Sequence, residues 1–209
     1  MAAPSAWPTI HAERAALVED LSSLPDDKWR TASLCGGWTV REVLGHLTAA
    51  AKLTPPAFFL RFAGSGFRFD AMTARDIARE TAGTAADGLA EFRRVLDRTS
   101  APPGPTDTWL GEVIVHGEDI RRPLGIKHDY PMDALKRVAD FYKGSNLLIG
   151  AKNRIAGLTM TATDTDWSTG SGPEVRGPML SLVMAMTGRS AALADLSGEG
   201  LDTLRARMS

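Results

Sequence analysis

Cysteine is almost absent from this sequence: 209 residues contain one, Cys35, so no intrachain disulfide can form and a secreted disulfide scaffold is excluded. Charge of one sign is also missing. Lys and Arg number 24 against 25 Asp and Glu, and no basic block interrupts the mixture, which argues against nucleic acid or an anionic membrane as partner. No run of about 18 apolar residues occurs, and the opening MAAPSAWPTIHAERAA has no signal-peptide pattern. There is no internal repeat and no low-complexity tract. The expectation is a cytoplasmic protein, monomer or homodimer, whose partners are small molecules. A composition 44% hydrophobic is enough to bury a substantial core in one domain, or in one domain with a small annex.

Helical periodicity dominates the first three quarters of the chain. Residues 9–24 place Leu17, Leu21 and Leu24 in register, with Thr9 as the expected N-cap. In CGGWTVREVLGHLTAA, residues 35–50, the glycines break the chain, Thr39 and Glu42 form a capping box, and Trp38 can staple onto Val43. Residues 53–70 read as an irregular aromatic connector, packing into the core or covering a site, because Pro55 and Pro56 oppose a helix there. A helix is expected over about 72–98, weakened by Gly83 and Gly88, and APPGPTD reads as a stiff linker. Thr106 or Asp107 should cap the next helix, which Pro123 and Gly125 end. A further helix is expected over 132–152.

The period then changes. GLTMTATDTDW alternates Leu158, Met160 and Ala162 against threonines, as a half-buried strand does. TGSGPEVRGP reads as a Gly/Pro-rich turn, MLSLVMAMTG as a short apolar helix ended by Gly188, and GLDTLRARM as a last helix. The expected architecture is mainly α: a helical bundle over residues 1–152 and a small α+β annex over 153–209.

One stretch carries the chemistry. In TDTWLGEVIVHGEDIRRPLG, Glu112 and His116 lie one helical turn apart on the face that holds Trp109, Val113 and Ile120. An inward carboxylate needs a partner, so the pair is a satisfied core hydrogen bond or two ligands of a metal ion. His46, on the flank of the Val43, Leu47 and Ala50 stripe, should also reach the interior. Two imidazoles and one carboxylate leave a coordination position open and suit zinc, iron(II), manganese or nickel better than calcium or magnesium, with zinc favoured. By spacing alone, Glu-x-x-x-His arises often by chance.

WTVREVLGHL around His46, the Glu112 and His116 pair followed by GEDIRRPLG, and DTDWSTGSGPEVRGP together resemble the mycothiol-dependent maleylpyruvate isomerase family of actinobacteria. The resemblance covers most of the chain. It implies the DinB-like four-helix metalloprotein fold, with a divalent metal on His46, Glu112 and His116. It also implies mycothiol as thiol cosubstrate, held by the metal as a thiolate that attacks a small electrophile, so that the protein is a transferase or an isomerase. Such a thiolate can add to an activated alkene and then be eliminated after bond rotation, or leave as an adduct. The substrate does not carry over.

Two rival readings remain beside it: a metal-dependent hydrolase that activates water, and a non-enzymatic small-ligand-binding protein. Among other residues, Asp119 is expected either to orient a ligand imidazole or to pair with Arg121 or Arg122. Arg176 is a candidate contact for an anionic group of cofactor or substrate. Cys35, with no second cysteine and no basic cluster nearby, reads as a small buried hydrophobe rather than a ligand. His11 reads as a surface residue, His128 as a loop residue, and Trp38 and Trp109 as core residues that can wall the site.

Overall fold

The computed structural model describes residues 4–146 and 149–208, which divide into two compact units at His128 and Asp129. The boundary falls earlier than the 152/153 junction expected from sequence. The reason is packing: the helix Met132–Gly144 lies against Met179–Met186 and belongs with the annex.

The first unit is helical. Its elements are α1 (Trp7–Leu21), α2 (Val40–Lys52), α3 (Pro55–Gly64), α4 (Phe69–Glu80), α5 (Ala85–Arg93) and α6 (Thr106–Leu124), with a 3-10 turn at Asp26–Arg30. Helix α2 is the hub, packing against α4, α5 and α6, while α1 covers α5 and α6. Helices α1, α2, α5 and α6 form a four-helix bundle, and α4 packs on α2. Its core joins Leu17 and Leu21 of α1, Val43, Leu44 and Leu47 of α2, Phe92 of α5 and Ile120 of α6, all nearly or fully buried.

Several ends differ from expectation for identifiable reasons. Helix α1 starts at Trp7 with Pro8 in its first turn, so Thr9 lies inside the helix and Ala6 occupies the cap. Helix α3 exists because Pro55 and Pro56 occupy its first turn, where a missing N–H costs nothing, and Thr54 caps it. Three of its neighbourhood's large side chains, Phe59, Leu60 and Phe67, are exposed rather than packed into the core. The long helix expected over 72–98 is two helices: Thr84 and Asp87 close a capping box just after Gly83, and a second helix begins there. Thr106 is the first residue of α6 and Pro105 its cap, without a side-chain hydrogen bond. At its other end Gly125 adopts φ 71°, and Gly125 and Ile126 return their N–H groups to the Arg122 and Arg121 carbonyls, a Schellman closure.

The hub is tied down electrostatically. Lys52, in the last turn of α2, donates to Glu80 of α4 at 2.6 Å and to Glu91 of α5 at 3.0 Å. Partial burial works to lower the Lys52 pKa, but the two carboxylates outweigh it and raise it above 10.5. The Lys52 hydrogen bond and charge hold Glu91 below 4.5. A depressed carboxylate stabilises the fold fully above its unfolded value and loses that contribution as pH falls through its folded value; a raised lysine stabilises below its unfolded value and loses it as pH rises through its folded one. Urea midpoints measured against pH should therefore form a plateau with an acid shoulder below the ordinary carboxylate range and an alkaline shoulder above 10.5. Lys52→Met should flatten both shoulders.

The second unit contains α7 (Met132–Gly144), α8 (Ala151–Arg154), β1 (Thr159–Ala162), β2 (Ser168–Gly170), β3 (Glu174–Gly177), α9 (Met179–Met186) and α10 (Leu201–Ala206). The helix expected to run through 132–152 ends at Gly144 and a short one starts at Ala151; residues 147 and 148 lie outside the described residues. The sheet has the order β2-β1-β3, with β1 antiparallel to β2 and parallel to β3. Strand β3 falls within the segment expected to be a turn. Val175 alone of its side chains is apolar, and it pairs in register with Met160 in the interior. Helix α9 is buried on every side, as its nearly unbroken apolar sequence requires. No described helix is long and apolar enough to cross a membrane.

Candidate functional site

Helices α2 and α6 pack against each other, and their facing sides supply the polar residues singled out in the sequence. The start of α2 is determined by the capping box: Thr39 accepts from the Glu42 N–H, and Glu42 accepts from the Thr39 N–H at 2.8 Å. Two turns later this places His46 opposite α6. Its Nε2 lies 3.3 Å from Oε1 of Glu112. The rings of His46 and His116 meet edge to face with centroids 4.9 Å apart. The three residues are thus brought together, and each is half-buried, reachable from solvent but largely desolvated.

Glu112 Oε1 is buried and makes no hydrogen bond, for its 3.3 Å approach to His46 Nε2 lacks hydrogen-bond alignment. An orphaned carboxylate oxygen in such a place is costly unless something else binds it. Two imidazoles and this oxygen form a donor set suited to a divalent transition cation, which meets the requirement.

Asp119, fully buried, accepts from His116 Nδ1–H at 2.9 Å. This contact orients an imidazole. Arg121 donates to Asp20 at 2.7 Å and Arg122 to Glu118 at 3.0 Å. A carboxylate on Nδ1 fixes the ring so that Nε2 is the nitrogen presented to a ligand. Trp38 walls the site, its ring centroid 5.1 Å from that of His46 and 6.3 Å from that of His116.

Two neighbours were not assigned to the site from sequence. Arg14, buried in α1, faces Glu112 and is held by the carbonyls of Val95, Leu96 and Arg98. Burial pulls its guanidinium below the ordinary arginine pKa, and the Glu112 charge opposes that. A small recess beside Glu112 is lined by Arg14, Leu47, Ala50, Trp109 and Val113. The available signal for Arg14 was its place between Ile10 and Leu17 on the buried stripe of α1. Cys35, half-buried, is the second, with its sulfur within 4.8 Å of ligating atoms of His116 and Asp119.

The other candidates have contacts of their own. His128, a loop residue as expected, bonds Glu13 Oε2 at 2.8 Å, and His11 approaches the Arg98 carbonyl at 3.3 Å. Arg176 is exposed on β3 of the second unit, where its backbone pairs with Ser197.

Residues 10–107 match the family model described as the mycothiol maleylpyruvate isomerase N-terminal domain. The matched span includes Cys35 and His46 and stops short of Glu112 and His116. Among solved structures, a crystal structure of the mycothiol-dependent maleylpyruvate isomerase superposes with TM-score 0.65 at 15% identity, covering 92% of this chain and 91% of that one. A histidine-to-alanine mutant of that enzyme gives the same TM-score and coverage at 14% identity. At such identity the likeness establishes the fold. No curated protein matches the chain in sequence.

Proposed function

We propose, on the match of residues 10–107 to the mycothiol maleylpyruvate isomerase N-terminal domain model, that this protein is a metal-dependent, mycothiol-dependent transferase or isomerase acting on a small electrophile. The observation that carries the reading is the orphaned Oε1 of Glu112 beside His46 and His116. These three residues would hold a divalent cation, zinc first among the candidates. When bound, the cation would lower the pKa of a coordinated cosubstrate thiol so that it is a thiolate nucleophile near neutral pH.

The chain's own residues do the rest. Asp119 keeps the His116 ring in one orientation and one tautomer, and Trp38 excludes water from one side of the pair. Leu47 and Val113 line a small recess beside Glu112, with the Arg14 charge at its edge. Arg176, exposed on β3, would contact an anionic group of cosubstrate or substrate.

Metal analysis of protein purified without added metal or chelator, followed by calorimetric titration with mycothiol, tests the reading. About one metal per chain and thiol binding that vanishes after chelation are the expected results. Metal without thiol binding would shift the assignment to a hydrolase that activates water. Failure to retain metal, even after reconstitution with zinc, would leave a binding protein whose polar cluster is structural.

A further inference from the structure

The loop before α2 carries a thiol that the proposed reaction does not use. Cys35 Sγ, a ring nitrogen of His116 and a carboxylate oxygen of Asp119 lie within 4.8 Å of one another, none of them fully exposed. The loop is held at this place by its own hydrogen bonds. Ser33 Oγ accepts from the Cys35 N–H at 3.1 Å, Trp38 N–H donates to the Cys35 carbonyl at 3.1 Å, and Leu34 N–H donates to the Asp119 carbonyl at 3.1 Å. The last of these ties the cysteine loop directly to α6. A thiol positioned by a braced loop beside an imidazole and a buried carboxylate is a different donor set from two imidazoles and a carboxylate. Tetrahedral coordination at about 2.0–2.3 Å would separate donors by roughly 3.3–3.8 Å, within a small contraction of the observed cluster. A sulfur donor favours soft, thiophilic cations.

We propose that Cys35, His116 and Asp119 form a second site, for a soft divalent cation, which shares His116 with the His46 and Glu112 pair. Binding there deprotonates Cys35: the S–H proton passes to solvent, the sulfur lone pair makes the bond to the cation, and no electron is transferred. It also draws Asp119 away from its hydrogen bond with His116. Occupancy of this site therefore disturbs the imidazole that the other centre needs, so a soft cation inhibits the enzyme. That consequence rests on the function proposed above; the binding itself does not.

Cadmium is the probe, titrated into the chelator-stripped full chain while the near-ultraviolet sulfur-to-cadmium charge-transfer band is followed. With one cysteine per chain, any such band reports Cys35. The expected result is a band that saturates near one equivalent, persists in Glu112→Gln and His46→Ala, and is absent in Cys35→Ser. In His116→Ala the midpoint should move to at least about tenfold higher cadmium, by loss of a ligand. Helical circular dichroism establishes that each variant is folded. The proposal is overturned if the wild-type chain shows no band, if Glu112→Gln abolishes it, which would put Cys35 in the first centre, or if His116→Ala titrates like the wild type. Loss of mycothiol binding with the band intact would count against the proposed function alone.

Discussion

Glu112→Gln is expected to reduce metal retention from about one per chain to almost none, and thiol-dependent turnover with it. The amide keeps the shape of the side chain but offers a neutral oxygen in place of a charged one, at a position where the carboxylate oxygen has no hydrogen bond to lose. A residue that only supports a ligand typically accounts for about 10–100-fold in metal affinity, which is the range expected for Asp119→Asn. Direct loss of a charged ligand should exceed it. Stability moves in the opposite sense. Without metal, the Glu112 carboxylate is a desolvated charge facing Arg14 and His46 without a hydrogen bond on Oε1, so the neutral variant should be as stable as the wild type or more so. Adding metal at about 1,000 times Kd should stabilise the wild type by about 4 kcal/mol and the variant by almost nothing. Thermal or urea unfolding with and without zinc reads both effects. A variant that loses stability in the apo form and retains its metal would refute the assignment of Glu112 as a ligand.

Arg121→Ala is expected to cost about 3–5 kcal/mol, the largest loss of stability from any single polar residue of the first unit. Arg121 is fully buried in the last turns of α6, and its Nε donates to Asp20 of α1 at 2.7 Å while its Nη1 lies 3.9 Å from Glu13. Removing the guanidinium strands the Glu13 carboxylate, which is also buried and, among the described residues, keeps its bond with His128 in compensation. It also opens a cavity between α1 and α6. Asp20→Asn should cost far less, since Asp20 is partly exposed and water can replace what it loses. Urea denaturation of the two variants at neutral pH checks the contrast. Equal, small losses would mean that water reaches Glu13.

Local pattern carried much of the structure. The Thr39 and Glu42 capping box determined where α2 starts and therefore which way His46 faces. The four-residue spacing of Glu112 and His116 placed both on one side of α6 whatever the rest of the chain did. The period-two run at Leu158 to Ala162 located β1 in the same way. These are properties of a few neighbouring residues, and a sequence displays them directly. Boundaries were less legible where one residue type acts in opposite directions. Pro55 and Pro56 end a helix in its interior but begin one in its first turn, and Thr84 opens a new helix at a point where the apolar period continues.

What only tertiary structure decided is every distance between elements. Helix packing set His46 against Glu112 and carried Arg14 from α1 to the edge of the Glu112 recess. The same packing gave α7 to the second unit, because its apolar face meets α9. Cys35 is the plainest case. By composition it is a lone thiol and a small hydrophobe, and it still packs partly against the core. Its place beside His116 and Asp119 is braced by a long-range hydrogen bond, Leu34 N–H to the Asp119 carbonyl, between residues 85 positions apart. A sequence specifies the faces of its helices through their period, but which faces meet is settled by burial of the whole core at once.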